Sequence, residues 1–195
     1  MRKSQIVRNT KETQIEMSLV IEGSGQADID TGIGFMNHML ELFAFHSSFD
    51  LKVKCHGDID VDSHHTVEDL GIVLGECIKE ALGDKKGIYR YGQMAIPMDE
   101  ALVTTTLDLS GRPYLVYQAS LNALVLGNYE TEMTKEFFKA VSDHAAMTLH
   151  IQEAYGENTH HIIEAMFKSF ARALKQAVAI DEKNKDQVVS SKGLL

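Results

Sequence analysis

The alternation of polar and apolar residues predicts several β-strands along the chain. Residues 5–30 alternate in this way, and the break at Gly23-Ser24-Gly25 is typical of a hairpin turn between two antiparallel strands. Similar alternation, together with the β-branched run Thr104-Thr105-Thr106, predicts further strands at residues 49–54, 91–96, 102–109, 114–121 and 147–154. About half of the predicted regular structure is therefore strand.

Helices are predicted where apolar residues recur every three or four positions. Such stretches cover residues 35–46, 65–82 and 132–146, and a fourth follows Asn158. The second and fourth helices carry matching apolar positions at a constant offset of 96 residues, which are Val67, Leu70, Leu74, Ile78 and Leu82 in one and Ile163, Met166, Phe170, Leu174 and Val178 in the other. A repeat of this length indicates a duplicated half-domain.

The order of these elements predicts an α+β fold. We expect two mostly antiparallel sheets with helices packed on their outer faces. No low-complexity segment or linker rich in Pro or Gly separates the halves. We therefore expect a single domain over residues 1–195, made of two pseudo-repeats at about residues 1–92 and 93–195.

The composition narrows the class of protein. The 195 residues are 44% hydrophobic, which is enough for a sizeable core. A net charge of −9 with dispersed basic residues makes nucleic acid and anionic membranes poor partners. No apolar run reaches the roughly 18 residues of a membrane span, and no signal-peptide core follows the N-terminus. With only Cys55 and Cys77, neither in a Cys-x-x-Cys pair, we expect a cytoplasmic protein without disulfides or a thiolate zinc site.

Two copies of a short motif carry the most informative chemistry. His64-His65-x-x-Glu68 and His160-His161-x-x-Glu164 stand at the same 96-residue offset, each at the start of a predicted helix. A His and a Glu three or four positions apart share a helix face and present nitrogen and oxygen to one metal ion. Adjacent His residues diverge by about 100° around a helix, so each doublet is expected to serve two sites.

The same motifs also have a purely structural interpretation. Ser63 and Thr159 are possible N-caps, and the Glu residues favour a first helical turn. A protonated imidazole at a helix N-terminus is unfavourable, however, so two doublets indicate neutral, ligand-ready rings. The acidic run at residues 58–62 does not form a calcium loop, because it lacks the required Gly and terminal Glu.

Further motifs join the two doublets in a recognisable combination. They are Phe35-Met36-Asn37-His38-Met39, Ser110-Gly111-Arg112-Pro113-Tyr114 and Ser190-Ser191-Lys192-Gly193. With them, the chain resembles the imidazoleglycerol-phosphate dehydratase family from Arg8 to the C-terminus. The resemblance implies formation of imidazole-acetol phosphate in histidine biosynthesis, two Mn²⁺ ions per active site, and a homo-oligomer of 24 subunits with sites shared between subunits.

The resemblance also implies roles for individual residues. The implied metal ligands are His38, His64, His65, Glu68, Glu136, His160, His161 and Glu164. Position 136 is His in many family members, and Glu136 offers oxygen in its place. The implied substrate-binding residues are Glu12, His38, His46, Arg90, Arg112, Lys168, Ser190, Ser191 and Lys192, of which Glu12 and His46 are catalytic. Asn37 stands where Asp is common, which alters the support of the neighbouring ligand His38.

The chemistry of such a dehydration fits these residue types. Removal of an unactivated C–H proton needs an electron sink, and an imidazole ring held by metal ions can expel the hydroxyl group and then take back a proton. Glu12 is the candidate proton shuttle, and Arg90, Arg112 and Lys192 would clamp the phosphate. Mixed nitrogen and oxygen ligands suit manganese, and they also accept zinc or iron.

Two other functions also use paired His and Glu residues. A di-iron carboxylate oxidase uses Glu-x-x-His on an all-helical bundle, whereas the order here is reversed and about half of the predicted regular structure is strand. A metal-storage protein would account for the ligands. It would not account for the Arg residues and the Ser-Ser-Lys segment, so phosphate binding distinguishes it from the dehydratase.

Overall fold

A computed structural model describes residues 1–193 of the chain. The first half contains β1 (Lys3–Asn9), β2 (Thr13–Val20), β3 (Ala27–Asp30), α1 (Gly34–Ser47), β4 (Asp50–Gly57) and α2 (His64–Leu82). The second half contains β5 (Tyr91–Met98), β6 (Ala101–Asp108), β7 (Tyr114–Gln118), β8 (Val125–Leu126), β9 (Tyr129–Glu130), α3 (Met133–Ala145), β10 (Thr148–Tyr155) and α4 (Thr159–Val178). Apart from the small β8–β9 hairpin, the two halves have the same element order.

The two halves also have the same sheet topology. Their strand orders are β1-β2-β4-β3 and β5-β6-β10-β7, and in each sheet two pairings are antiparallel and one is parallel. The predicted α+β fold with duplicated halves and mostly antiparallel sheets is therefore confirmed. Between the halves, α2 ends at Leu82 and β5 begins at Tyr91.

The predicted hairpin at Gly23-Ser24-Gly25 is wrong. The first hairpin instead turns at residues 10–12, where the Thr10 hydroxyl accepts hydrogen bonds from the amides of Glu12 and Thr13. The residues after β2 cross the end of β4, because the Asp50 carboxylate accepts hydrogen bonds from the amides of Ser24 and Gln26. This crossing places β3 beside β4 as its parallel neighbour, rather than beside β2.

The helices lie between the two sheets, which corrects the prediction that they cover the outer faces. On the first sheet, α2 packs on β1 and β2, and it contacts α3, which reaches β7 of the second sheet. On the second sheet, α4 packs on β5 and β6, and it contacts α1, which reaches β3. Because each helix pair joins one half to the other, both inner faces share one core.

Aromatic side chains fill the middle of this core. Phe170 of α4 stacks on Phe43 of α1 at 5.7 Å between ring centroids, and Phe167 stacks on Phe137 of α3 at 5.2 Å. All four rings are fully buried. Burial of large apolar side chains is the main term that holds the repeats together. Among residues 1–193, the helices are all too short or too polar to span a lipid bilayer.

A glycine in the first strand of the second sheet tests this packing. A Cβ atom on Gly92 of β5 would overlap the backbone carbonyl group of Ala173 on α4, whereas a Cβ atom on Gly34 meets nothing within 4 Å. We expect Gly92→Ala to lower the free energy of unfolding by about 3 kcal/mol, because the strand must move away from the helix. Denaturant titration measures this change. Gly34→Ala is the matched control and should not destabilise, and equal effects of the two changes would contradict the packing of β5 on α4.

Candidate active site

A cluster of possible metal ligands lies where α1 packs against the first turns of α4. The Nε2 atom of His38 is 3.3 Å from Oε2 of Glu164, and the Nε2 atom of His160 is 3.1 Å from the same oxygen. Donor atoms of these three residues all lie within 4.8 Å of one another, and among residues 1–193 no other group of three or more His, Cys, Asp or Glu is so arranged. Two imidazoles and a carboxylate at this spacing form a suitable site for a divalent cation.

The start of α4 determines how its two His residues are presented. Asn158 has extended backbone at the N-cap, and its side-chain oxygen accepts hydrogen bonds from the amides of His160 at 2.9 Å and His161 at 3.4 Å. Such a cap satisfies amides that have no partner within the helix. The ring of Phe35 packs edge-on against His160 with 5.2 Å between centroids. The cap fixes the backbone at His160, and the contact with Phe35 packs against its ring.

Charged neighbours tune the groups around this cluster. Burial raises the pKa of Glu164, but hydrogen bonds with Lys168 at 2.5 Å, His38 and His160 outweigh it, so the pKa lies below its ordinary value. Glu164 is thus an anion at neutral pH. Burial and the positive charges of Lys168 and Arg172 lower the pKa of His46, so its ring is uncharged at neutral pH.

A related set of residues lies where α2 of the first half packs against α3 of the second half. The Nε2 atom of His64 is 3.6 Å from Oε2 of Glu68, one helical turn further along α2. Glu136 lies in the first turn of α3, which packs against α2. The pKa of Lys139 is raised mainly by Asp143 and to a smaller extent by the negative charges of Glu136 and Glu68, so both of these carboxylates lie near Lys139. Glu136 precedes β10 by as many residues as His38 precedes β4. It therefore occupies the position in the second repeat that corresponds to His38.

The second imidazole of each doublet points elsewhere, as the helical geometry predicts. The Nδ1 atom of His65 is 3.0 Å from Asp58 Oδ2, and its Nε2 atom is 3.8 Å from Glu12 Oε1. The Nδ1 atom of His161 is 2.7 Å from Glu100 Oε2. These hydrogen bonds raise the pKa of both imidazoles, and the one from His161 lowers the pKa of Glu100 to about 2.

A cationic cleft lies at the opposite end of the molecule. Its volume is about 640 Å³, and its lining includes five of the predicted substrate-binding residues, which are Arg90, Arg112, Ser190, Ser191 and Lys192. The Arg90 amide donates a hydrogen bond to the carbonyl of Ala177 in the last turn of α4. The helix rises about 1.5 Å per residue, so Ala177 lies about 20 Å from Glu164. Four predicted substrate-binding residues lie away from this cleft: Glu12 on the β1–β2 turn, and His38, His46 and Lys168 near the α1–α4 cluster.

Comparison with known proteins assigns the family. The sequence model described as imidazoleglycerol-phosphate dehydratase matches residues 31–174, which is most of the chain. The chain belongs to the imidazoleglycerol-phosphate dehydratase family. The Lactococcus lactis subsp. lactis (strain IL1403) protein of that name is 62% identical over 198 residues, which cover 100% of this chain and 99% of the relative. The Acetivibrio thermocellus protein is 58% identical over 100% of this chain and 99% of the relative.

Solved structures agree with this assignment. The imidazoleglycerol-phosphate dehydratase from Staphylococcus aureus subsp. aureus N315 has a TM-score of 0.84 at 45% identity, with 92% of this chain and 99% of that chain covered. The structure of IGPD from Pyrococcus furiosus in complex with (S)-C348 has a TM-score of 0.85 at 35% identity, with 97% and 100% covered. The protein is thus a hydro-lyase of histidine biosynthesis, and the oxidase and metal-storage alternatives are set aside.

In this dehydratase-family chain, the side chain of Arg90 makes hydrogen bonds to other residues of the same subunit. Its Nε and Nη2 atoms donate to the Asp108 carboxylate at 2.7 and 3.0 Å, and its Nη1 atom donates to the Val189 carbonyl at 2.7 Å. The hydrogen bonds with Asp108 raise the pKa of Arg90. The side chain therefore anchors the segment that carries Ser190, Ser191 and Lys192.

Several residues at these sites are absent from the sequence-based set. Asp58 and Glu100 contact His65 and His161, Asp108 contacts Arg90, and Arg172 acts on His46. These are carboxylates or cations from other elements, so no local spacing marks them. The side-chain oxygen of Asn37, beside His38, accepts hydrogen bonds from the amide and hydroxyl of Thr31, which ties α1 to the end of β3.

The anchoring role of Arg90 can be tested separately from substrate binding. We expect Arg90→Ala to speed amide hydrogen exchange at least about tenfold over residues 188–193, because this end of the tail loses its charge-assisted hydrogen bond at Val189. Hydrogen-exchange mass spectrometry measures this directly. Arg112→Ala removes an exposed cation of the same cleft and should leave the exchange unchanged. Protection that persists in Arg90→Ala would show that the tail is held by other contacts.

Proposed function

We propose that this chain converts imidazoleglycerol phosphate to imidazole-acetol phosphate and that it needs two Mn²⁺ ions per active site. The observation that supports the metal most directly is the His38, His160 and Glu164 cluster, whose donor atoms converge around one point. Bound manganese would act as a Lewis acid on the imidazole ring of the substrate. With the residues carried over from the family, the proposed ligand set is His38, His64, His65, Glu68, Glu136, His160, His161 and Glu164.

The donor chemistry of these residues fits manganese. Neutral imidazole nitrogens and carboxylate oxygens are a mixed set of intermediate hardness, which Mn²⁺ accepts. The set contains no thiolate, and burial raises the pKa of both Cys55 and Cys77, so neither offers a ready sulfur ligand. Both cysteines are free, which suits a reducing compartment, and we propose the cytoplasm. Glu136 makes the α2–α3 ligand set richer in oxygen than the α1–α4 set.

We assign proton transfer to Glu12, with His46 beside the reacting groups. Glu12 lies on the β1–β2 turn, where its carboxylate is half exposed and faces the Nε2 atom of His65. An exposed carboxylate near a proposed ligand can accept a proton from a substrate carbon and return it elsewhere. The neutral ring of His46 offers one donor and one acceptor nitrogen to the substrate. Lys168 keeps Glu164 ionised through their short ion pair.

The cationic cleft is the proposed phosphate subsite. Arg112, Ser190, Ser191 and Lys192 supply charged and hydroxyl donors, and Arg90 holds the tail in place for them. Guanidinium, ammonium and hydroxyl groups together are typical of phosphate recognition. The cleft also separates this function from metal storage, which does not need a phosphate site.

The separation of the two ends of α4 supports a site shared between subunits. The ligand cluster and the cleft are about 20 Å apart along α4, whereas the substrate spans less than about 10 Å from ring to phosphate by standard bond lengths. One subunit therefore cannot bind both ends of one substrate molecule. We propose that the ligands of one subunit face the cleft of another, in a homo-oligomer of 24 subunits as the family resemblance implies.

Loss of one proposed ligand should remove activity together with metal. We expect His160→Ala to reduce turnover of imidazoleglycerol phosphate by more than about a hundredfold, the upper range for changes that touch metal ligands only indirectly. The metal content of the same preparation should fall. His144→Ala is the control. It removes a half-exposed imidazole of α3 that faces Glu76 and lies outside the ligand set, so turnover and metal content should both stay at the wild-type level. Full turnover in metal-free wild-type enzyme would contradict the metal requirement.

The role of Glu12 makes a different prediction. Glu12→Gln keeps the shape of the side chain but removes its basic oxygen, so turnover should fall at least about a hundredfold while substrate affinity changes little. Calorimetry and steady-state rates measure the two quantities. Glu16→Gln changes a carboxylate of the neighbouring strand β2 and serves as the control. Equal losses of affinity and turnover would make Glu12 a binding residue only.

A further inference from the structure

The second His of each doublet is held by a carboxylate from a different element of the same half. His65 of α2 meets Asp58, which follows β4, at 3.0 Å. His161 of α4 meets Glu100, in the turn between β5 and β6, at 2.7 Å. In both cases the contact is made by Nδ1. The two carboxylates come from different places in the repeat, so the sequence duplication alone does not produce this match.

Both acidic residues are themselves tied to the backbone around them. The Asp58 amide donates a hydrogen bond to the carbonyl of Glu12 at 3.0 Å, which ties Asp58 to the β1–β2 turn. The other oxygen of Glu100 accepts hydrogen bonds from the amides of Asn158 at 2.8 Å and Glu157 at 3.2 Å, just before α4. The backbone of Asp58 and the carboxylate of Glu100 are therefore each held in place beside the imidazole that they support.

The contact determines which nitrogen of each ring is free. An ionised carboxylate only accepts hydrogen bonds, so the Nδ1 atom it contacts carries the hydrogen. In the neutral ring the lone pair then lies on Nε2. The Nε2 atoms of His65 and His161 face further carboxylates, Glu12 and Asp99, at 3.8 and 3.9 Å, which is beyond hydrogen-bond distance. Both free nitrogens thus point toward open, anionic surroundings that suit a cation.

We propose that Asp58 and Glu100 are positioning residues that fix the ring orientation and tautomer of His65 and His161, so that Nε2 is the nitrogen each presents to metal. The inference rests on the proposed function, in which both His residues are ligands. It adds two residues that act through the imidazoles and touch no substrate. Groups of this kind fix ligand geometry, and their loss weakens metal binding about 10-fold to 100-fold.

Asp58 allows the sharper test, because its Oδ1 atom is buried and has no hydrogen-bond partner. In Asp58→Asn the side-chain amide oxygen can face His65, and the NH₂ group can take the position of the buried Oδ1 atom, which has no hydrogen-bond partner. The hydrogen bond is then kept while the charge is lost. Asp58→Ala loses both. Asp60→Ala removes a charge of the same acidic connector without removing a contact to His65, and it is the matched control.

The experiment measures Mn²⁺ affinity of the intact enzyme by electron paramagnetic resonance of free Mn²⁺, after the metal has been removed and added back. We expect Asp58→Ala to weaken binding at the affected sites at least about tenfold, and Asp58→Asn and Asp60→Ala to stay within about threefold of wild type. Thermal unfolding checks that each variant is folded. Glu100→Ala, compared with Glu157→Ala, repeats the test on His161.

Two outcomes would overturn the proposal. If Asp58→Ala binds Mn²⁺ as wild type does, the carboxylate does not position a ligand. If Asp58→Asn is as weak as Asp58→Ala, its charge matters and not its hydrogen bond. His65→Ala, measured in parallel, isolates the underlying assignment. Unchanged Mn²⁺ binding in that variant would show that His65 is not a ligand, so the proposed function would fail at that residue rather than the positioning role alone.

Discussion

The direction of two long helices constrains the whole site. Both α2 and α4 carry a His doublet in their first turn. At the other end, Ala177 of α4 bonds to Arg90 of the cationic cleft, and Lys85, just after α2, donates to the carbonyl of Leu109, which precedes Ser110 of the cleft. A helix is a rigid spacer of about 1.5 Å per residue, so the ligands and the cleft of one subunit cannot approach each other. The aromatic core between the sheets fixes α4 against α1 and α3, which prevents any rearrangement that would shorten this distance. This separation supports the proposal that the active site is built between subunits.

The imidazoles at the N-termini of α2 and α4 lie between two opposing electrostatic effects, the helix dipole and the nearby carboxylates. The helix dipole disfavours a protonated ring at this end, while the carboxylates Glu164, Glu68, Asp58 and Glu100 favour positive charge nearby. A bound cation, as proposed, would satisfy the carboxylates without protonation of the rings. The two doublets are also capped differently. Asn158 caps α4 with its side chain, whereas the Ser63 hydroxyl bonds to Glu130 of the β8–β9 hairpin.

Local patterns predicted much of the fold, and long-range contacts explain the failures. The 3.6-residue periodicity placed α2 and α4 within a residue or two of their observed starts, and the matching apolar positions after Val67 and Ile163 revealed the duplication. Alternation cannot tell which neighbour a strand pairs with, so β3 was placed in a hairpin with β2 although Asp50 directs it to β4. The inner position of the helices also depends on packing across the halves.

For the site, too, local spacing predicts some contacts, whereas contacts between distant elements leave no pattern in the sequence. Spacing on one helix brought together His160 and Glu164, but Asp58, Glu100 and Asp108 come from other elements and carry no local signal.

The most direct test of the shared site is complementation between His160→Ala, which damages the ligand end, and Arg112→Ala, which damages the cleft end. Each variant alone should be nearly inactive. Co-expressed in mixed oligomers, they should regain dehydration of imidazoleglycerol phosphate, because some sites then combine an intact end from each subunit. Mixed oligomers of verified composition with no activity above the parents would contradict a site built between subunits.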